Sequence, residues 1–412
     1  MRILFLNRSF WPDTDTTGVL LAELAEDLAA THEVTVICGP ANTRHHRSRM
    51  PFQRESFGAV KIVRTFGASL SKKSIPRRLL NLAVYFGLAT IAALRERPDV
   101  IVAETDPPLL GLLAAIVARI HRCRFVYYCQ DLFPDIAEAT GGLKSHFLLS
   151  ILSRANTLAY RRADAIVVLA NDMADRLCRK GVPTDRIVVA PNWIDCGKVR
   201  PHNSQMTFRE FGHFVVMYAG NLGLSQSLET VLEAAHLMRN DSRVKFVLVG
   251  DGARRSWLQG EARSRQLSNV EFVAHQAPVA MSEVLATANL HLIPLVAGAA
   301  GCLVPSKVYG ILAAGRPFVA MMEDDAEVAR LASDFKVGFV TPPGDPVRLA
   351  RAITEALEDP SRLNEMGRRA RLLAENRFDR RDVTRRFAHL LEAVVSDATA
   401  RTAKPARSTR HE

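Results

Sequence analysis

Gly301-Cys302-Leu303-Val304-Pro305-Ser306-Lys307-Val308-Tyr309-Gly310-Ile311-Leu312-Ala313-Ala314-Gly315-Arg316-Pro317 is the stretch from which the fold is read. Pro305-Ser306 reads as a helix start, and Gly315 with Pro317 just beyond reads as its end. Phe318–Ala320, short and apolar, follows as a strand. The same unit recurs upstream. The strand Phe214–Tyr218 runs into Ala219-Gly220-Asn221-Leu222-Gly223, and Phe246–Val249 runs into Gly250-Asp251-Gly252. With Val270–Phe272, Leu290–Ile293 and Gly338–Val340, each followed by a helix-compatible stretch, the spacing predicts right-handed βαβ units and a parallel sheet covered on both faces.

The first half repeats the rhythm. Arg2–Leu6, Glu33–Cys38, Lys61–Arg64, Val100–Ala103, Phe125–Tyr128, Ala165–Leu169 and Ile187–Val189 read as strands, and Gly18–Ala30 as a helix. The rhythm stops at Asn192–Gln205, a polar stretch flanked by Pro191 and punctuated by Pro201. The expected class is therefore α/β, with two Rossmann-like doubly wound domains facing a cleft at the carboxyl ends of their strands. The boundaries fall at 1–200 and 205–379. Residues 380–395 form a terminal helix that packs on either domain, and 396–412 read as a disordered basic tail. A chain of 412 residues is long enough for two cores.

Each glycine turn has a functional and a plain reading. Gly220 and Gly223, around Asn221 and Leu222, let backbone approach a diphosphate, or simply make a βα turn. Gly250 and Gly252 do the same, with Asp251 as a helix cap. Ser306 and Lys307, between Pro305 and Val308, offer an anion a hydroxyl, an ammonium and helix N–H groups; the plain reading is a buried Ala-rich helix. Three such turns in one domain favour the anion.

The chain carries 54 Lys and Arg against 43 Asp and Glu, a net charge of +11. Residues 201–400 are neutral overall, whereas Pro40–Arg78 alone holds +9, in Arg44, Arg47, Arg49, Arg54, Lys61, Arg64, Lys72, Lys73, Arg77 and Arg78 against Glu55. This cluster runs into the uncharged segment Leu79–Leu94, too short to span a bilayer. A basic cluster beside an apolar helix is the pattern of a surface resting on anionic lipid; a core helix beside a basic loop is the plainer reading. No recognition helix, zinc finger or aromatic–basic signature points to nucleic acid. The six cysteines are scattered without a C-x-x-C pair, which suggests reduced thiols and no zinc site. The N-terminus reads as no signal peptide.

Phe10-Trp11-Pro12-Asp13 with Gly18, Gln130-Asp131-Leu132-Phe133-Pro134-Asp135, Pro191-Asn192-Trp193-Ile194-Asp195 and Pro305-Ser306-Lys307-Val308-Tyr309 together resemble the family 4 retaining glycosyltransferases of the two-domain GT-B fold. The resemblance covers about residues 1–395 and is strongest to the bacterial branch that builds O-antigen and colanic-acid-type polysaccharides, including a fucosyltransferase-like subgroup. It implies transfer from a nucleotide-diphosphate sugar with retention, no cofactor and no bound metal. It also implies a polyprenyl-diphosphate-linked saccharide acceptor met by the first domain, and a cytoplasmic enzyme peripheral to the inner membrane face.

Several positions depart from the family pattern. Its two glutamates fall at Cys302 and Gly310, and its cations after the first glycine turn fall at Asn221 and Gln226. Lys307, with the helix N-terminus at Ser306, is then expected to take over part of the neutralisation, with Arg254 and Arg255 as further candidates. A family histidine near the reacting carbon falls at Gln130. Asp131 beside it either orients an acceptor hydroxyl and stabilises positive charge on the sugar, or serves as a turn residue. Glu104 and Asp106 are alternative cleft carboxylates. Asp13-Thr14-Asp15 is a formal D-x-D but reads as loop chemistry, and His45-His46 reads as part of a basic loop. The lost glutamates keep a second reading open, a catalytically silent GT-B module that binds nucleotide sugar in an assembly complex. Sugar-nucleotide epimerases share the fold but find no motif support.

Overall fold

The computed structural model describes residues 1–41, 50–66, 75–143, 145–202, 212–223, 226–276 and 280–402, without side chains at 75–78 and 397–402. The first domain contains β1 (Arg2–Leu6), α1 (Thr16–Ala29), β2 (Glu33–Cys38), β3 (Phe52–Phe57), β4 (Val60–Thr65), α2 (Ile75–Arg95), β5 (Val100–Ala103), α3 (Leu110–His121), β6 (Arg124–Cys129), α4 (Asp135–Ala139), α5 (His146–Arg162), β7 (Ala165–Val168), α6 (Asn171–Arg179) and β8 (Ile187–Val189). Among the described residues its sheet has the order β3-β4-β2-β1-β5-β6-β7-β8. Only the β3–β4 hairpin is antiparallel. Sequence reasoning missed β3, because Phe52-Gln53-Arg54-Glu55-Ser56-Phe57 is too polar to resemble the buried parallel strands, as suits an edge.

The second domain contains β9 (Phe214–Ala219), α7 (Leu228–Leu237), β10 (Val244–Val249), α8 (Arg255–Ser264), β11 (Val270–Val273), α9 (Met281–Thr287), β12 (Leu290–Pro294), α10 (Lys307–Ala313), β13 (Phe318–Met321), α11 (Glu327–Asp334), β14 (Gly338–Thr341), α12 (Pro346–Glu358) and α13 (Pro360–Leu373). Its sheet is parallel throughout, in the order β11-β10-β9-β12-β13-β14. In both sheets the order reverses beside the first strand, between β1 and β5 and between β9 and β12. Such switch points leave a crevice at the carboxyl ends, where ligands of this fold class bind.

The domains touch through named bonds. Leu132 N donates to Cys302 O at 2.7 Å, Arg176 Nη1 to Ala300 O at 3.1 Å, and Glu327 N to Asp172 Oδ2 at 3.0 Å. Arg371 of α13 pins the linker to the second domain, donating to Cys196 O, Val199 O and Ala313 O.

The final helix, α14 (Arg380–Thr402), crosses back to the first domain. Arg380 pairs with Glu26 and Asp27 of α1 at 2.7 Å each, and the Phe387 ring lies 5.0 Å from that of Tyr128. The expected tail from 396 is corrected in part. The helix runs on to Thr402, because once Phe387 and Leu391 are packed each further residue of the Ala-rich run adds a turn bond without a new nucleation cost. Residues 403–412 lie outside the described residues.

The basic cluster is likewise only partly in view. Arg44, Arg47, Arg49, Lys72 and Lys73 lie outside the described residues. Arg64 is not a surface cation: it is buried, paired with Glu55 at 3.1 Å and donating to Trp11 O and Gly39 O. Lys61 and Arg54 stand against Glu33 and Glu96.

Candidate active site

At the switch point of the second sheet, two glycine loops lie against each other. Gly220 N donates to Val249 O at 2.9 Å, and Leu222 N to Asp251 O at 2.8 Å. A Cβ on Gly250 would lie 2.0 Å from Gly220 O, and one on Gly252 2.5 Å from Leu222 O. Both glycines have left-handed φ, +141° and +156°. Only glycine fits, because the backbones occupy the side-chain space. Leu222 and Val308 are themselves buried, so they shape the site through packing and backbone.

Lys307, the first residue of α10, reaches over this loop. Its Nζ lies 3.4 Å from the Tyr218 hydroxyl and 4.6 Å from the ring centroid. The Tyr218 hydroxyl in turn donates to Asn221 O at 2.6 Å. A Cβ on Gly220 would stand 3.6 Å from Nζ, so the bare backbone leaves the amine open toward the loop. Burial lowers the Lys307 pKa to about 8.

Three expectations change here. Asp251 does not cap α8; its Oδ1 accepts from Gly252 N and closes its own turn, with Arg254 preceding the helix. Arg254 pairs with Glu229 at 2.5 Å and stacks on Trp257, while Arg255 donates to Gly250 O and Val273 O. Both are committed, which leaves Lys307 facing the loop. At the start of α10, Val308 N and Tyr309 N already bond Pro305 O and Ser306 O, and Ser306 makes no side-chain cap. The amine therefore contributes more than the helix end.

Across the cleft, loops after β1, β5 and β6 enclose a cavity of about 350 Å³ lined by Asn7, Arg8, Ser9, Asp15, Glu104, Asp106, Gln130 and Asp131, among others. Gly18 lets α1 lie close to this wall, since its Cβ would stand 3.3 Å from Ser9 and Phe10. A hydrogen-bonded chain orients the buried groups. Tyr128 OH donates to Asn192 Oδ1 at 3.0 Å, Asn192 Nδ2 to Gln130 Oε1 at 2.9 Å, and Gln130 Nε2 to Glu104 Oε1 at 3.4 Å. Burial pushes the Glu104 carboxyl up to about 8, against the pull of Gln130, and pushes Asp131 to about 6, with Asp106 adding repulsion.

The two sites meet through one loop. Asp131 forms a β-bridge with Leu303, four residues before Lys307. Four residues span at most about 14 Å, so this bridge ties the Asp131 loop to the segment that leads into Lys307. Another cavity, about 700 Å³ around Phe214, Pro317 and Arg371, lies at the opposite, amino-terminal ends of the strands and holds none of these groups.

Two domains with their crevices facing, one with a cation over a glycine loop and one with carboxyls, match known families along most of their length. Residues 16–193 match the family described as "Glycosyl transferase 4-like domain", and residues 213–359 match "Glycosyl transferases group 1". The chain belongs to the family 4 glycosyltransferases. WbjE of Pseudomonas aeruginosa, named as a glycosyltransferase, is 28% identical over 309 residues, 74% of this chain and 76% of that one. WcaI of Escherichia coli K12, whose name assigns it to colanic acid biosynthesis, is 27% identical over 411 residues, 94% and 98% of the two chains. Among solved structures, Anabaena Alr3699/HepE in complex with UDP-glucose superposes with a TM-score of 0.72 at 20% identity, covering 95% of this chain and all of that one. WaaG, a glycosyltransferase involved in lipopolysaccharide biosynthesis, gives 0.69 at 18% identity, covering 94% and 99%. These superpositions show the GT-B fold.

In this glycosyltransferase, Asp131, Glu104 and Gln130, read from the sequence, line one cavity, and Lys307 stands over the glycine loop. Sequence reasoning missed Tyr218 as the seat of Lys307, and Asn7 and Asn192 in the opposite wall. The signal available for Tyr218 and Asn7 was that each ends or follows a strand at a switch point, whereas Asn192 follows the edge strand β8.

Glu104 yields a stability prediction. Its proton is held more tightly in the folded chain, so the stability it contributes is present below its ordinary pKa and is lost as pH rises toward 8. Glu104→Gln removes that loss. The unfolding free energy of the variant relative to the native chain, read by denaturant titration, should climb between pH 5 and pH 8 by an amount on the order of a few kcal/mol, and level off above. A difference constant across that range would contradict it.

Proposed function

We propose that the protein is a retaining glycosyltransferase of bacterial surface polysaccharide biosynthesis, moving a sugar from a nucleotide-diphosphate donor to a polyprenyl-diphosphate-linked saccharide. The observation that carries this is the Lys307 amine over the Gly220–Leu222 loop, at the switch point where a diphosphate would meet free backbone and one cation. The names of WcaI and WaaG, and the UDP-glucose held by HepE, support it.

In this reading Lys307 balances the diphosphate without a resident metal. As the bond from the anomeric carbon to the diphosphate oxygen breaks, the acceptor oxygen bonds to the same face. Its proton passes to the departing phosphate oxygen. No side-chain base is needed for this step. Asp131, ionised above about 6, stabilises the developing positive charge on the sugar ring. A thermal-shift panel of nucleoside diphosphates and their sugars tests the donor assignment. A ligand at ~100 times its Kd adds about 2.7 kcal/mol, and a panel without a shift would refute the assignment.

We place the acceptor side on a membrane at the cytoplasmic face. No helix among the described residues is long and apolar enough to cross one. The adjoining outer helices α2, α3 and α5 expose Ile91, Leu94, Ile116, Ile120, Phe147 and Ile151, and Arg119, Arg122 and Arg154 stand exposed among them. Apolar side chains ringed by arginine suit anionic lipid. Phe147 is 78% exposed. Phe147→Glu should lower partitioning onto anionic vesicles about tenfold or more, and unchanged co-sedimentation would contradict the placement.

A further inference from the structure

The cavity after β1, β5 and β6 has a composition that selects its occupant. Two buried oxygens in its walls lack partners. Glu104 Oε2 is unbonded while Oε1 takes the Gln130 N–H, and Asn7 Oδ1 is unbonded while Nδ2 donates to Ser9 O at 2.8 Å. Both residues are buried, at 1% and 0% exposure, and both line the cavity. The Tyr128–Asn192–Gln130 chain fixes which Glu104 oxygen is left over. Buried polar atoms without partners are rare and mark places where a ligand or ion completes the bonding.

Charge narrows the choice further. Arg8, the only cation in the lining, is held by Asp106 at 2.7 Å. That leaves Asp15, Glu104 and Asp131 with no basic side chain against them in the lining. Asp15 takes only the Ser9 hydroxyl, at 3.3 Å. A carboxylate or phosphate entering here would bring no proton for Asn7 Oδ1, and charge of the same sign as the wall carboxylates.

We propose that this cavity is the subsite for an uncharged, hydroxyl-bearing sugar of the acceptor, bound through Glu104 Oε2 and Asn7 Oδ1, and that it turns away a sugar bearing a carboxylate or phosphate. This rests on the glycosyl-transfer reading above. It also separates the lipid diphosphate from the reacting hydroxyl by at least one neutral sugar, so the enzyme extends a chain that an earlier glycosyl or sugar-phosphate transfer has begun. A hydroxyl suits the pair because it donates and accepts at once. At neutral pH the raised Glu104 carboxyl holds its proton and donates from Oε2, while Asn7 Oδ1 accepts.

The test uses the full chain, the donor that gives the largest thermal shift, and synthetic lipid-diphosphate disaccharides differing only in the terminal residue. That residue is a neutral hexose, a hexuronic acid or a hexose phosphate. We expect kcat/KM for the neutral acceptor to exceed both anionic ones at least tenfold. Glu104→Gln must keep its carbonyl toward Gln130, which turns its amide toward the sugar. That retains a donor, so acceptor KM should change little, whereas Glu104→Leu, which removes it, should raise acceptor KM about tenfold with a much smaller change in donor KM. Equal or better use of the hexuronic acid, or Glu104→Leu moving donor KM instead of acceptor KM, overturns the subsite. Failure to transfer to any acceptor, with no thermal shift from any donor, overturns the glycosyl-transfer reading itself.

Discussion

Lys307→Ala should lower kcat/KM for the nucleotide-sugar donor by about 10² to 10³, the cost of removing one preorganised charge from a developing diphosphate. The magnitude is large because the other cations nearby are spent. Arg254 faces Glu229, and Arg255 is bonded to Gly250 O and Val273 O. Asn221 and Gln226 are neutral. The amine also has a pH signature. Without donor its pKa is lowered to about 8 by burial. A bound diphosphate favours the ammonium, so donor binding takes up a proton once the free amine has lost its own. Affinity should therefore be full below pH 8 and fall up to tenfold per pH unit above it. Lys307→Ala should be weak and flat across that range. Isothermal titration of the nucleoside diphosphate between pH 6.5 and 9.5 reads both effects, and a steep fall retained in the variant would assign the titration to another group.

Gly250→Ala should be the most damaging single methyl in the donor domain. The added Cβ would stand 2.0 Å from Gly220 O, a backbone atom that β9 and β10 hold on both sides, at a φ of +141° that alanine rarely adopts. Conformational strain and overpacking each cost about 1–3 kcal/mol. Together they should lower the melting temperature by about 10 °C and remove donor binding, because the Gly220 loop must move away from Lys307. Gly260→Ala is the control. Gly260 lies inside α8 with nothing within 4 Å of its added Cβ, and alanine there should stabilise by up to about 1 kcal/mol. A Gly250→Ala chain that melts with the native protein and still binds donor would show that the two loops are not in contact.

Much of this was legible in the sequence, for identifiable reasons. Buried parallel strands such as Val100–Ala103 and Phe318–Met321 are apolar throughout, and local composition announces them. The β3 strand is polar, and its pairing depends on β4. Glycine turns at strand ends were visible, and so was Lys307. Tyr218 was not, because it looks like any other aromatic in a strand until β9 and α10 are brought together. The bridge between Asp131 and Leu303 joins residues 172 positions apart, and no local pattern encodes it. Charge counting also misled at Arg64, whose burial on Glu55 is a tertiary fact.

The anomeric configuration of the product tests the central claim most directly. An α-linked nucleotide-diphosphate sugar would be turned over with the neutral lipid-linked acceptor, and the new linkage read by NMR before any anomerisation. Retention of the α configuration is the result expected when the departing phosphate oxygen takes the proton on the same face. A β linkage would contradict it, requiring a base on the opposite face and a different role for Asp131 and Lys307.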